Sequence, residues 1–311
     1  LEIAAAALDT EPSYVRGYSD FQYVWALQSI GRSAEALHAA DDALSRFGGT
    51  VDPAYGRAVF CRVLLLRQQG AIAEAEATAL ANIDLLRRRK FETICAWLNM
   101  LLGWIAYERN DLDRAAAVLR EVAADYRNAH ALTVREALNL LAVVHALRDE
   151  WEEAWAVMRR LREILGELGA TELMSGVLLT EAWLTLHQDP TATSAVRGLG
   201  AVEDAQRTTP ALLLHPAIIR IRLQIGLGTR EGWEAALAEI ASFRRIVEES
   251  HCVFRQPQLD LLESVTRWKL GEEQEAPRLV GRALNHSVSR YLRREFQEYG
   301  AEVGQMLDRS R

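Results

Sequence analysis

Lysine is almost missing from this chain. Lys90 and Lys269 are the only two in 311 residues, and arginine supplies the rest of the positive charge. Acidic residues outnumber basic ones, 43 to 36, for a net charge of −7. That balance argues against direct nucleic-acid binding, which needs a basic face to neutralise phosphates. Two distant lysines also cannot build a lysine clamp for a peptide's terminal carboxylate. The arginine skew reads as the codon composition of a GC-rich genome. Cysteine is sparse: Cys61, Cys95 and Cys252 stand far apart and make no metal-like pair, so they read as buried free thiols in a reducing, cytoplasmic compartment. No apolar run approaches the length of a membrane span, and no basic-then-apolar leader is present. The seven histidines (His38, His130, His145, His187, His215, His251 and His286) are scattered without H-E-x-x-H spacing, which leaves no metal or catalytic-base motif. No G-x-x-x-x-G-K-[ST] occurs. Gly198-Leu199-Gly200 and Gly226-Leu227-Gly228 follow no strand and read as turns or weak helix positions. The run Arg87-Arg88-Arg89-Lys90 reads as a solvated helix end, where cations complement the dipole. With no nucleophile, base and orienting group to name, an enzyme is the weakest reading.

What is present is a repeat. In Trp97 to Val122, Leu98, Leu101, Leu102 and Ile105 recur at the spacing of a buried helix face. Asn110-Asp111 breaks the pattern, Asn ending one helix and Asp capping the next. Ala115, Leu119 and Val122 then share a face of the second helix, and Gly103 and Ala115 mark where the two helices approach closely. The same hairpin recurs. Ala36, Ala75, Ala115, Ala154, Ala195, Ala236 and Ala276 each open a second helix and fall 39 to 41 residues apart. A turn residue stands five positions earlier at Gly31, Gly70, Asn110, Asp149, Pro190 and Gly271. The sixth copy has Glu231 there and Gly228 three residues before, which predicts a longer turn. Asp52-Pro53 and Thr209-Pro210 each read as an N-cap with proline at the first helical position. The expected fold is therefore all-α, with TPR-like hairpins at a period of about 40 residues in a right-handed superhelix. Residues 1–10 end a truncated preceding repeat, 11–290 hold seven hairpins, and 291–311 form one capping helix. A second helix weakened by Gly198 and Gly200 is expected in copy five. The start at Leu1 reads as the tail of an earlier hairpin, and the chain as a piece of a longer protein.

The stretch Tyr107-Glu108-Arg109-Asn110-Asp111-Leu112-Asp113-Arg114-Ala115, followed by Tyr126-Arg127-Asn128-Ala129-His130, resembles the repeat region of MalT-type, LuxR-class transcriptional activators of the STAND group of signalling ATPases. The ending Phe296 to Leu307 is similar to the helix that closes that region. The resemblance implies a sensor domain that binds a small-molecule inducer, a regulatory protein or both. It implies an ATP-binding domain upstream and a helix-turn-helix domain downstream in the same chain. No cofactor is expected in this segment itself, self-association is open, and a pure protein-interaction scaffold is the leading alternative.

First helices of stacked hairpins line the concave surface. Trp97, Met100, Trp104 and Tyr107 form a stripe on one of them. Joined to Trp25, to Arg57, Phe60 and Arg67, and to Glu136 and Asn139, the stripe predicts a groove of aromatic walls and charged posts. Such a groove suits a sugar or a small anionic metabolite, since rings stack and arginines grip carboxylates. The other reading is that these rings pack first helices against one another.

Overall fold

The computed structural model describes residues 13–47, 52–189, 192, 214–286 and 288–309. Among these residues the chain is all-α, a helical-repeat fold without strands. Copies one to four are the hairpins α1 (Ser13–Ser29) and α2 (Ser33–Phe47), α3 (Pro53–Gln68) and α4 (Ile72–Arg88), α5 (Glu92–Glu108) and α6 (Leu112–Ala124), and α7 (Ala131–Leu147) and α8 (Trp151–Glu167). Copy five contributes α9 (Met174–Gln188). Its second helix, with Pro190, Ala195 and both of its glycines, lies outside the described residues, as do residues 1–10 and Thr209-Pro210. Copies six and seven are α10 (Pro216–Gly226) with α11 (Arg230–Glu249) and α12 (Gln256–Lys269) with α13 (Glu275–Asn285).

The turns follow from single residues. Gly31, Gly70 and Gly271 take φ values of 78°, 83° and 85°, while Asn110 and Asp149 reach 61° and 62°. A left-handed residue ends a helix by turning the chain back, and glycine or a short polar side chain does so at least cost. The second helix then starts from a defined cap: the Asp111 carboxylate accepts the Arg114 N–H at 3.2 Å. Asp52 caps α3 in the same way, accepting from Ala54 and Tyr55 ahead of Pro53. The sixth copy differs from its expectation. Its turn, Leu227 to Thr229 around Gly228 at φ 68°, is as short as those of copies one to four, and α11 begins earlier relative to Ala236. Thr229 caps it by accepting the Gly232 N–H at 3.1 Å, so the extra length is helix.

Packing divides the helices into two kinds. α5 buries nearly every residue from Ile94 to Glu108, and α7 nearly every one from Thr133 to Ala146. The second helices bury one stripe only; in α4 this is Ile72, Ala75, Ala79, Ile83 and Leu86. The repeated alanines Ala36, Ala75, Ala115, Ala154, Ala236 and Ala276 are all 0% exposed, because backbone meets backbone there. Gly103 serves the same approach: a Cβ on it would lie 2.6 Å from Leu119 Cδ2.

The array turns back on itself. Ser33 Oγ and Gln68 Nε2 each donate to the Ser250 carbonyl at 3.0 Å, joining copies one and two to the end of copy six. The expected single capping helix is instead two short ones, α14 (Arg293–Glu298) and α15 (Gly300–Arg309), broken at Tyr299. α14 is not merely a lid on copy seven. It reaches copy three, where Arg109 sits 5.4 Å over the Tyr291 ring just before it and Arg294 donates to Asn110 Oδ1 at 3.4 Å.

Candidate functional site

First helices α1, α3, α5 and α7 lie side by side, and together they enclose a cleft of about 650 Å³. Residues one period apart in sequence therefore meet in space. Phe21 of α1 stacks on Trp97 of α5 with centroids 5.8 Å apart and planes 12° from parallel. Phe60 of α3 meets the same indole at 4.8 Å, and Trp25 approaches Phe21 edge-on at 6.1 Å. The rings thus do pack first helices together, yet they also leave one side open as the wall of the cleft. Leu64, Met100 and Trp104 close the floor, each at most 6% exposed. Tyr18, Gln22, Thr93 and His130 form the exposed rim. Arg57 lines the cleft half-buried, its guanidinium 5.9 Å from the Tyr18 ring.

Two floor atoms have chemistry left to give. Glu136 is 2% exposed, and its Oε1 takes both the Nε and an Nη of Arg135 on the same helix, the former at 3.1 Å. Its Oε2 is buried without a hydrogen-bond partner, as is the indole N–H of Trp104. One acceptor and one donor are therefore left unpaired in residues that line a largely aromatic space, the mixture typical of a small-molecule pocket.

The ten residues expected in the groove separate into two groups. Trp25, Arg57, Phe60, Trp97, Met100, Trp104 and Glu136 line the cleft together. Asn139 does not; it is buried against α9 and donates Nδ2 to the Gly176 carbonyl at 3.4 Å. Arg67 and Tyr107 do not either. Arg67 is 0% exposed, ion-paired with Glu108, and layered between Trp104 at 5.0 Å and Phe254 at 4.0 Å. A guanidinium held that way is a tie between the two ends of the array, not a post for a ligand.

This tie belongs to a buried polar network through the centre of the molecule. Arg255 donates to Gln258, and Gln258 Nε2 passes the chain on to Glu295 Oε1 at 2.7 Å. Arg222 of α10 donates to Glu295 Oε2 at 2.6 Å and lies 3.3 Å from Glu298. Burial alone would pull the Arg222 guanidinium down, but Glu295 and Glu298 outweigh it and hold its pKa well above the usual arginine value. Burial, with Glu295 beside it, raises the Glu298 carboxyl. Burial also pushes the Tyr107 phenol up to about 12, and Arg255 falls to about 10 through burial and the nearby Arg67 charge. The sequence reading missed this network. One signal for it was available: Arg67 and Glu108 are opposite charges 41 residues apart, about one period, each at the end of an apolar inner helix.

No family model matches the chain, and no curated protein matches it significantly. Among the described residues no group of three or more His, Cys, Asp or Glu could hold a metal ion, and no helix is long and apolar enough to cross a membrane.

Proposed function

We propose that this chain is a sensor module that binds a small molecule in the α1–α3–α5–α7 cleft and transmits its occupancy to the contact between the ends of the array. The observation that carries the reading is the double role of Trp104. It forms part of the cleft floor, and Arg67, which ties α3 to α5 and to Phe254, sits over its ring. A ligand that moves this indole also moves the cation against it. Occupancy can then favour one closure of the array over another, provided the ligand's affinity for the two differs. The resemblance to MalT-type regulators supports the same role, with a neighbouring ATPase as the element that responds and transcription as the output. Under that reading the nucleotide is bound outside this segment. A protein-interaction scaffold is the second reading. It draws on the exposed rim around Tyr18, which is 49% exposed.

The test is the melting temperature of the chain across sugars, organic acids, amines and aromatic metabolites. A ligand at a hundred times its Kd stabilises by about 2.7 kcal/mol, which is readily seen. The informative variant is Trp97→Ala, because Trp97 lines the cleft without entering the central network. A stabilising compound whose effect vanishes in Trp97→Ala supports the reading. A compound set with no stabilising member, alongside a protein captured through the cleft rim, shifts the assignment to the scaffold.

A further inference from the structure

The cleft's chemistry is more selective than its aromatic walls alone suggest. Of the two arginines expected to grip an anion, Arg67 is consumed by Glu108 in the core. Arg57 lines the cleft half-buried, its guanidinium over the Tyr18 ring. One buried charged atom without a hydrogen-bond partner belongs to a residue that lines this cleft, and it is negative: Glu136 Oε2. Arg135 engages the other oxygen of that carboxylate, which locks its orientation and leaves Oε2 to accept from something else. The same cleft is lined by Phe21, Phe60 and Trp97, in contact with one another. Ring faces carry negative potential and attract a cation laid against them. A buried carboxylate oxygen forms its strongest hydrogen bond with a charged N–H.

We infer that the ligand of this cleft is an organic cation, a protonated amine on a bulky apolar or aromatic body, with its ammonium on Glu136 and its body against Trp97 and Phe60. The inference rests on the sensor reading and names the chemical class that reading leaves open. The apolar body fills a space that a free metal or ammonium ion would leave wet. The ammonium supplies the donor that Oε2 lacks. The Trp104 N–H remains for a single acceptor on the ligand, which allows selectivity among amines.

The experiment is isothermal titration of the chain with three compounds of one shape, naphthylethylammonium, naphthylethanol and naphthylpropionate. The amine is expected to bind roughly tenfold or more tighter than the alcohol, a charge-assisted bond against a neutral one, with the acid weakest. Glu136→Gln should bring the amine down to the level of the alcohol while leaving the alcohol unchanged. Should that variant lose its circular-dichroism melt because Arg135 is stranded, Trp97→Leu replaces it. This second variant keeps the Arg135–Glu136 pair and should weaken the amine more than the alcohol. Equal binding of amine and alcohol, or tighter binding of the acid, overturns the inference, as does an amine preference that survives both variants. If the three compounds fail but a sugar binds in a Trp97-dependent way, the cation assignment falls and the sensor reading stands. If nothing in either set binds, both fall.

Discussion

The inner helices α3 and α5 do two different things along their lengths. All but their last turn, with Arg57, Phe60, Trp97 and Met100, contributes to an open cleft. Their C-terminal ends, with Arg67, Gln68, Tyr107 and Glu108, are sealed against copies six and seven and the C-terminal helices. The cleft is apolar with a few unspent polar atoms, and the sealed end is polar and tightly paired. An aromatic wall tolerates solvent on one side, because a ring loses only part of its burial there. A guanidinium at 0% exposure tolerates none, because its desolvation is offset only while Glu108 remains beside it. The lining of the cleft and the stability of the closed array therefore depend on the same two helices at largely separate turns. Trp104 is where they overlap.

The largest expected effect comes from the sealed end. Arg67→Ala strands a buried carboxylate and should cost about 3–5 kcal/mol in urea unfolding, whereas the double variant Arg67→Met with Glu108→Leu should recover most of it. A double variant no more stable than the single one would show that the pair is not the tie between the ends. Trp104→Ala should cost a similar amount, about 3–5 kcal/mol, and also abolish ligand binding, since it empties the floor of the cleft and uncovers Arg67. For that reason a lost response in Trp104→Ala alone does not report on binding. Trp97→Ala, at a half-buried ring, should cost less, about 1–3 kcal/mol for its two ring contacts, with binding lost just the same. The contrast between these two tryptophans is the sharpest measure of how separate the regions are.

The smallest effect is a titration. His187 stacks on Trp183 at 3.9 Å, and burial, then the charges of Arg222 and Arg294, lower its pKa to about 4. Above pH 6.5 the ring is neutral folded or unfolded. Between 6.5 and about 4 only the unfolded chain takes the proton, so this contribution to stability is lost as the pH falls through that window. An NMR titration should give a midpoint near 4, and His187→Gln should flatten that part of the stability profile. The residue is exposed to solvent, which keeps the effect small.

The hairpins were legible because each is specified locally. Gly31, Gly70, Asn110, Asp149 and Gly271 take the left-handed turn that residue type and spacing imply, and the repeated alanines stand where helices touch. Most of the cleft was legible for the same reason: first helices one period apart lie side by side, so Phe60 and Trp97 must be neighbours. Stripe position could not separate Arg57 from Arg67, or Met100 from Tyr107. Each pair shares a helix face, and only the closure of the array buries the second member. The broken C-terminal helix was hidden likewise. Arg293-Arg294-Glu295 reads as an exposed face until Arg222, 73 residues away, meets Glu295 from α10.

The repeat, its turns and the aromatic character of its inner face were thus determined by the sequence alone, because they depend on residues within one period of each other. Which of those inner residues meet solvent was decided by the tertiary structure. That choice depends on the ends of the array coming together, and burial of a charge is set by its partners in space, not by its place on a helix.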